Sequence, residues 1–236
     1  MSIETSTVSV GDLTAYLARP ASVGAGPGLL LLPMITGIGE QIRDWADELA
    51  GRGITALVWD PFKGRSTDNS TREELGELLG GLDDDAALAE QVALLDHLLG
   101  ELGCPKAGVI GWCLGGRFAL LLAARDHRLA SVTAYHPTTP SQLRPSHSYD
   151  TIAEAAAITA PVMVLYPGND AAVPVADFEA LQTSLQGRST GATITQFYAG
   201  AEHGFSDRSR HDKPVNADAF KLSWPQALTF IHTTTA

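Results

Sequence analysis

The sequence predicts an α/β fold built on one doubly wound, mostly parallel sheet with helices on both faces. Three observations carry this. Short continuous apolar runs, such as residues 29–32, 54–59 and 129–135, recur along the chain, as strands do when both faces of a sheet are covered. Between them lie segments with apolar residues at helical spacing. Residues 111–116 read Gly-Trp-Cys-Leu-Gly-Gly, and they stand between a strand-like run and a helix-like one. Strand and helix alternating at this interval give parallel βαβ units.

Taken in order, residues 5–10 and 13–18 alternate around Gly11-Asp12 and predict a β-hairpin at the sheet's edge. Residues 21–28 form a Gly/Pro loop, and 29–32 a buried strand. Residues 40–52 place Ile42, Trp45, Ala46 and Leu49 on one helical face, closed by Gly51 and Gly53. Strand 54–59 ends at Asp60-Pro61-Phe62. A polar loop, 63–69, leads to a short helix over 71–79 that Gly80-Gly81 stops. Residues 83–99 predict an amphipathic helix with the stripe Leu88, Val92, Leu95 and Leu99, three aspartates in its first turn, and His97 exposed. The run 106–110 is the strand before Cys113, and the helix runs on from Arg117. Residues 129–135 form a strand, and 136–149 a long loop overhanging the sheet's carboxyl edge. Then come a short helix at 152–157, a strand at 160–166, a helix at 175–185, a strand at 192–198 and a closing helix at 217–232. No repeat, low-complexity tract or linker interrupts the chain, so residues 1–236 are expected to form a single domain.

Composition narrows the function. The 236 residues are 44% hydrophobic and 18% charged, which suits a soluble globular chain with a large core. A net charge of −11 argues against nucleic acid or an anionic membrane as partner. The partner expected is a small-molecule substrate, and the protein a monomer or homodimer. Cys104 and Cys113 are the two cysteines. A disulfide between them would consume the residue at the apex of the turn, so a reducing compartment is expected. The first residues lack the basic and apolar regions of a signal peptide, and no apolar run is long enough to span a bilayer. Together these predict a cytoplasmic protein. No His/acid spacing suggests a metal site, no glycine-rich loop suggests a phosphate site, and no cofactor is implied.

The segment around Cys113 carries chemistry. Strand, sharp turn and helix, with glycine two places to either side of the apical residue, make the nucleophile elbow of α/β-hydrolases with cysteine in the usual serine position. So tight a turn strains the apical backbone and leaves no room for side chains at Gly111 or Gly115. It exposes the sulfur and aims the helix N-terminus at developing negative charge. The plain alternative is a small buried cysteine in a chance pattern. The rest of the chain argues against that. Asp170 follows the strand at 160–166 and His203 follows the strand at 192–198, giving the nucleophile–acid–histidine order of this fold. The backbone N–H groups of Leu114 and Ile35 are the candidate oxyanion donors.

Gly111-Trp-Cys-Leu-Gly-Gly, Gly168-Asn-Asp-Ala-Ala-Val-Pro and Glu202-His-Gly-Phe together resemble the dienelactone hydrolase (carboxymethylenebutenolidase-like) family, over nearly the whole chain. The resemblance implies an α/β-hydrolase domain that opens enol-lactones or cleaves esters through a Cys-His-Asp triad, without cofactor. Resembling enzymes carry a glutamate just past the first long strand, in contact with the resting cysteine. Aligning residues 30–39 on that motif puts Met34 there, a side chain that neither holds a proton nor carries charge. Glu40, the nearest acid, is read as part of the next helix's first turn. The family's substrate-carboxylate arginine falls near Arg208, although Asp207 occupies the matching slot.

Other residues have two readings. Arg208 and Arg72 are carboxylate clamps or solvated surface charges. Tyr135 lines the pocket or packs with a satisfied hydroxyl. Trp112 reads as core. His136 touches substrate or is a plain loop histidine. Met34 belongs to the pocket wall. Two rival functions stand beside hydrolysis of an ester or lactone. One is a scaffold diverted to a non-hydrolytic step on a small oxygenated metabolite; the other is a catalytically silent binding module.

Overall fold

The computed structural model describes residues 1–21, 26–143 and 146–236. Its eight strands are β1 (Ile3–Val10), β2 (Leu13–Pro20), β3 (Gly28–Leu32), β4 (Thr55–Trp59), β5 (Ala107–Trp112), β6 (Leu129–Tyr135), β7 (Val162–Asn169) and β8 (Thr193–Glu202). They form one sheet in the order β1-β2-β4-β3-β5-β6-β7-β8. β1/β2 and β2/β4 pair antiparallel; every other pair is parallel. The hairpin turns because Gly11 takes φ +57° at the first position of a two-residue connection, which glycine fills without steric cost.

Residue parity divides the core. Leu30 and Leu32 face one side of the sheet with Val109, Val132 and Val164. Leu29 and Leu31 face the other with Ile110, Met163 and Leu165. Helices α1 (Glu40–Gly51) and α7 (Pro214–Thr235) cover the second side. Helices α3 (Asp84–Leu99), α4 (Leu114–Arg125) and α6 (Val175–Gln186) cover the first. Both faces are dry, which is why the central strands carry apolar side chains in both directions. The short helices α2 (Arg72–Gly80) and α5 (Thr151–Glu154) lie in the connections. Thr71 and Glu74 close a capping box on α2. No helix among the described residues is long and apolar enough to cross a membrane.

Several expectations shift. β5 runs on to Trp112 and α4 starts at Leu114, so the turn at Cys113 is tighter than the sequence suggests. β7 and β8 extend to Asn169 and Glu202, delivering Asp170 and His203 directly from strand ends. α3 buries Ala87, Leu88, Gln91, Leu94, Leu95 and Leu98, while Val92 and Leu99 only flank that face. His97 is consequently half-buried rather than exposed, 3.2 Å from Glu101. Part of the 21–28 and 136–149 loops lies outside the described residues.

Candidate active site

The elbow is strained as its sequence requires. Cys113 has φ +54° and ψ −111°, a conformation that costs a non-glycine residue on the order of 1–3 kcal/mol. A β-carbon at Gly111 would lie 2.0 Å from the Gly115 carbonyl oxygen, and one at Gly115 would lie 1.9 Å from that of Leu32. Only glycine fits either place. The bare Gly115 brings α4 against the end of β3, where its N–H donates to the Pro33 carbonyl at 3.1 Å.

Asp170 and His203 converge on the sulfur. Asp170 Oδ1 accepts from the N–H groups of Ala172 and Val173 at 2.7 and 3.0 Å, which fixes the carboxylate. Its Oδ2 lies 2.8 Å from His203 Nδ1. His203 Nε2 lies 3.1 Å from Cys113 Sγ. Thr138 Oγ1 approaches the same sulfur at 3.3 Å. Burial pushes the Cys113 thiol up, but the His203 hydrogen bond and charge, the Thr138 hydroxyl and the Leu114 N–H outweigh it and hold the thiol below its ordinary range. Burial likewise pulls His203 down, yet hydrogen bonds to Asp170 and Cys113 prevail and it is pushed up to about 10. Both directions favour the thiolate–imidazolium form of the pair over the neutral one, and two groups in such contact titrate as a unit.

A cavity of about 630 Å³ opens over Cys113, within the range of small-molecule sites. Met34, Ile35, Leu114 and Phe118 line it together with residues of α2. Arg72, Gly76, Leu79 and Gly80, one face of α2, look into it. A β-carbon at Gly76 or Gly80 would meet nothing within 4 Å, so packing does not require glycine there; its absence of side chain leaves room. Gly76→Leu is therefore expected to narrow the cavity. The kcat/KM for a p-nitrophenyl octanoate should fall roughly tenfold relative to the acetate. An unchanged ratio between the two esters would show that substrate does not reach α2.

Met34 and Ile35 line the same cavity as Cys113, and Met34 is buried. Arg72 lines the cavity as well. Glu40 sits in the first turn of α1, exposed, with its N–H donating to Asp68 at 3.3 Å. Two expectations fail. Tyr135 is fully buried and does not reach the cavity. It pairs in register with Trp112, so it shares the core face, and its hydroxyl donates to Ser223 at 3.2 Å. Arg208 does not line the cavity either. Asp207 caps the short 3₁₀ turn that follows, and this turns Arg208 outward to an exposed ion pair with Asp44. Arg210, two places on, faces the cavity instead. His136 is also buried, with Nε2 2.8 Å from Ser206 Oγ, and its ring lies edge-on to that of His203.

Sequence reasoning missed Thr138 and the Asp84–Arg117 pair. Thr138 lies just past a strand's carboxyl end on the edge that carries Asp170 and His203, and that position was the available signal. Asp84 is more than a helix-dipole residue. It meets Arg117 through two hydrogen bonds of 2.7 Å, both side chains buried, and accepts from the Ser148 N–H at 2.8 Å. Burial alone would raise its carboxyl, but Arg117 holds it below the usual range. The pair ties the loop after β6 to the elbow helix at the cavity wall. Among the described residues no cluster of His, Cys, Asp or Glu has metal-binding geometry.

Residues 13–235 match the model of the Dienelactone hydrolase family. The chain belongs to that family. Membership makes it an ester or lactone hydrolase. A Salmonella typhi protein named "Putative carboxymethylenebutenolidase" is 31% identical over 212 residues, 86% of this chain and 77% of that one. A Bradyrhizobium protein named "Probable 2-oxo-3-(5-oxofuran-2-ylidene)propanoate lactonase" is 27% identical over 92% of this chain and 88% of its own length. Among solved structures, a dienelactone hydrolase-type protein from Klebsiella pneumoniae superposes with TM-score 0.84 at 24% identity, covering 98% of this chain and 99% of the other. At that identity the superposition speaks for the α/β-hydrolase fold, and the family match carries the rest.

Proposed function

We propose that this dienelactone hydrolase family member cleaves a small ester or lactone by acyl transfer through Cys113, with His203 as proton carrier and Asp170 as its orienting anion. The observation that carries the reading is the unbroken chain from Asp170 Oδ2 to His203 to Cys113 Sγ, at 2.8 and 3.1 Å. The thiolate adds to the carbonyl carbon, and the N–H groups of Leu114 and Ile35 receive the oxyanion. As the C–O bond breaks, the His203 imidazolium protonates the leaving oxygen, so a lactone opens to a hydroxyl still joined to the thioester. Water then attacks the thioester with neutral His203 taking its proton, and the acid leaves as the thiolate–imidazolium pair reforms. No other group has to enter the balance.

Met34 bears on the substrate. A thioether in the cavity wall offers no charge and suits an apolar acyl group better than a dicarboxylate-like dienelactone. It also leaves the resting thiolate without a carboxylate that could hold it in check. In the free enzyme Cys113 should therefore react with iodoacetamide before any substrate is added, and apolar esters should turn over faster than an anionic dienelactone. A cysteine inert until ligand binds, or a clear preference for the dienelactone, would contradict this role for Met34. The function itself is tested by screening small lactones and esters by mass spectrometry. A lactone should give one product heavier than substrate by one water, an ester an acid and an alcohol whose masses sum to substrate plus water, and in either case a thioester is trapped on Cys113. A product of unchanged mass would favour a diverted, non-hydrolytic scaffold.

A further inference from the structure

Thr138 Oγ1 lies 3.3 Å from Cys113 Sγ, and nothing in the triad calls for it. We propose that Thr138 is a further catalytic residue, whose hydroxyl donates to the resting thiolate and holds it on the His203 side of the cavity, where the wall residue Met34 has no donor to offer. The inference rests on Cys113 being the nucleophile.

Donor direction follows from chemistry. A thiolate only accepts, an imidazolium only donates, and a threonine hydroxyl does either. Beside a sulfur held charged by His203, the hydroxyl is the donor.

The backbone delivers Thr138 there through several independent constraints. His136 N–H donates to the Leu165 carbonyl at 2.7 Å, and Thr138 N–H donates to the Cys113 carbonyl at 3.1 Å. Between them the chain turns sharply, with His136 at φ +35°, a strained value for a non-glycine residue. The corner sits on the second glycine of the elbow pair. A β-carbon at Gly116 would lie 3.0 Å from both Pro137 Cα and the Tyr135 carbonyl oxygen, so a side chain there would push the corner back by a few tenths of an ångström. On the far side the buried His136 ring is held by Ser206 at 2.8 Å. Gly115 thus seats α4 against β3, and Gly116 seats Thr138 against Cys113. That gives the double glycine two separate duties. Thr138 itself is 8% exposed, so little water competes for its hydroxyl.

The charged and titratable groups that face this sulfur are few. His203 touches it and Asp170 acts through His203. His136 lies behind the His203 ring, buried and held well towards its neutral form by that burial. Arg72, Asp84, Arg117, His147, Asp207 and Arg210 stand on the cavity wall, and none of them changes in the variants below.

The test is the pH dependence of Cys113 alkylation by iodoacetamide in the free enzyme, followed by intact mass, beside kcat/KM for a p-nitrophenyl ester. Thr138→Val keeps the shape and removes the donor. Hydrogen bonds to charged groups are strong enough that its alkylation midpoint should move up by about one pH unit, with kcat/KM at pH 7 down roughly tenfold. Thr138→Ser should return both close to wild type. An unmoved midpoint in Thr138→Val, or a Thr138→Ser variant as impaired as Thr138→Val, would overturn the proposal, the latter by showing that the methyl group matters and the hydroxyl does not. If Thr138→Val does not fold, Thr138→Ala against Thr138→Ser makes the same comparison. Wild-type Cys113 that cannot be alkylated at all would instead overturn the nucleophile assignment, and this inference with it.

Discussion

Cys113→Ala should abolish turnover, with a loss on the order of 10,000-fold or more, the scale seen when a nucleophile is removed from a site acting as a unit. The fold should persist, because the sulfur contributes two long polar contacts and little core volume. A thermal midpoint near that of wild type is the control. Native wild-type protein should take up a single iodoacetamide, and Cys113→Ala none. Cys104 explains why the count is informative. It is buried, and burial pushes its thiol up against a weaker opposing hydrogen bond from Thr55, so it should react only after unfolding. Cys113→Ser should keep a small residue of activity. A hydroxyl is a far weaker acid than a thiol, and a site that stabilises a resting thiolate is not arranged to generate an alkoxide during the reaction. Full activity in Cys113→Ala, or an adduct persisting in it, would place the reactive group elsewhere.

The parts of this site that were legible in the sequence are those dictated by local sterics or by chain order. Gly111 and Gly115 announce the elbow because no other residue fits within 2.0 Å of a carbonyl oxygen. Asp170 and His203 are found because each follows a strand that the apolar runs mark. What stayed hidden depends on register between distant segments. Tyr135 ends a strand at the active edge, and only its pairing with Trp112 reveals that it faces the core. Arg208 and Arg210 differ by two places in a 3₁₀ turn, and where that turn begins decides which one reaches the cavity. α3 is apolar over most of its circumference, so periodicity could not select Leu94 and Leu98 over Val92 and Leu99. Thr138 needed the sharp corner at His136, whose φ of +35° no local sequence rule predicts.

Asp170→Asn should cost nearly as much as removing His203. His203→Ala is expected to lose on the order of 100- to 10,000-fold, the usual span for a general acid–base. The asparagine would fail for a directional reason. Asp170 Oδ1 already accepts from Ala172 and Val173. An asparagine satisfying those two N–H groups with its oxygen must present its NH₂ group to His203 Nδ1. That nitrogen would then have to accept, the imidazole would be locked in the wrong tautomer, and the doubly protonated form would lose its partner. The pH profile separates this from mere unfolding. In wild type, kcat/KM should rise on the acid side as the thiol, held below its ordinary range, ionises. It should fall on the basic side as His203 gives up its proton near pH 10, because the imidazolium is needed to protonate the leaving oxygen. The Asp170 hydrogen bond raises His203, so in Asp170→Asn the basic limb must move to lower pH and the active window must narrow from that side. His211, whose Nε2 lies 3.0 Å from the Phe205 carbonyl oxygen, serves as the control, and His211→Ala should leave both limbs in place. A basic limb that stays put in Asp170→Asn would mean that Asp170 does not govern His203.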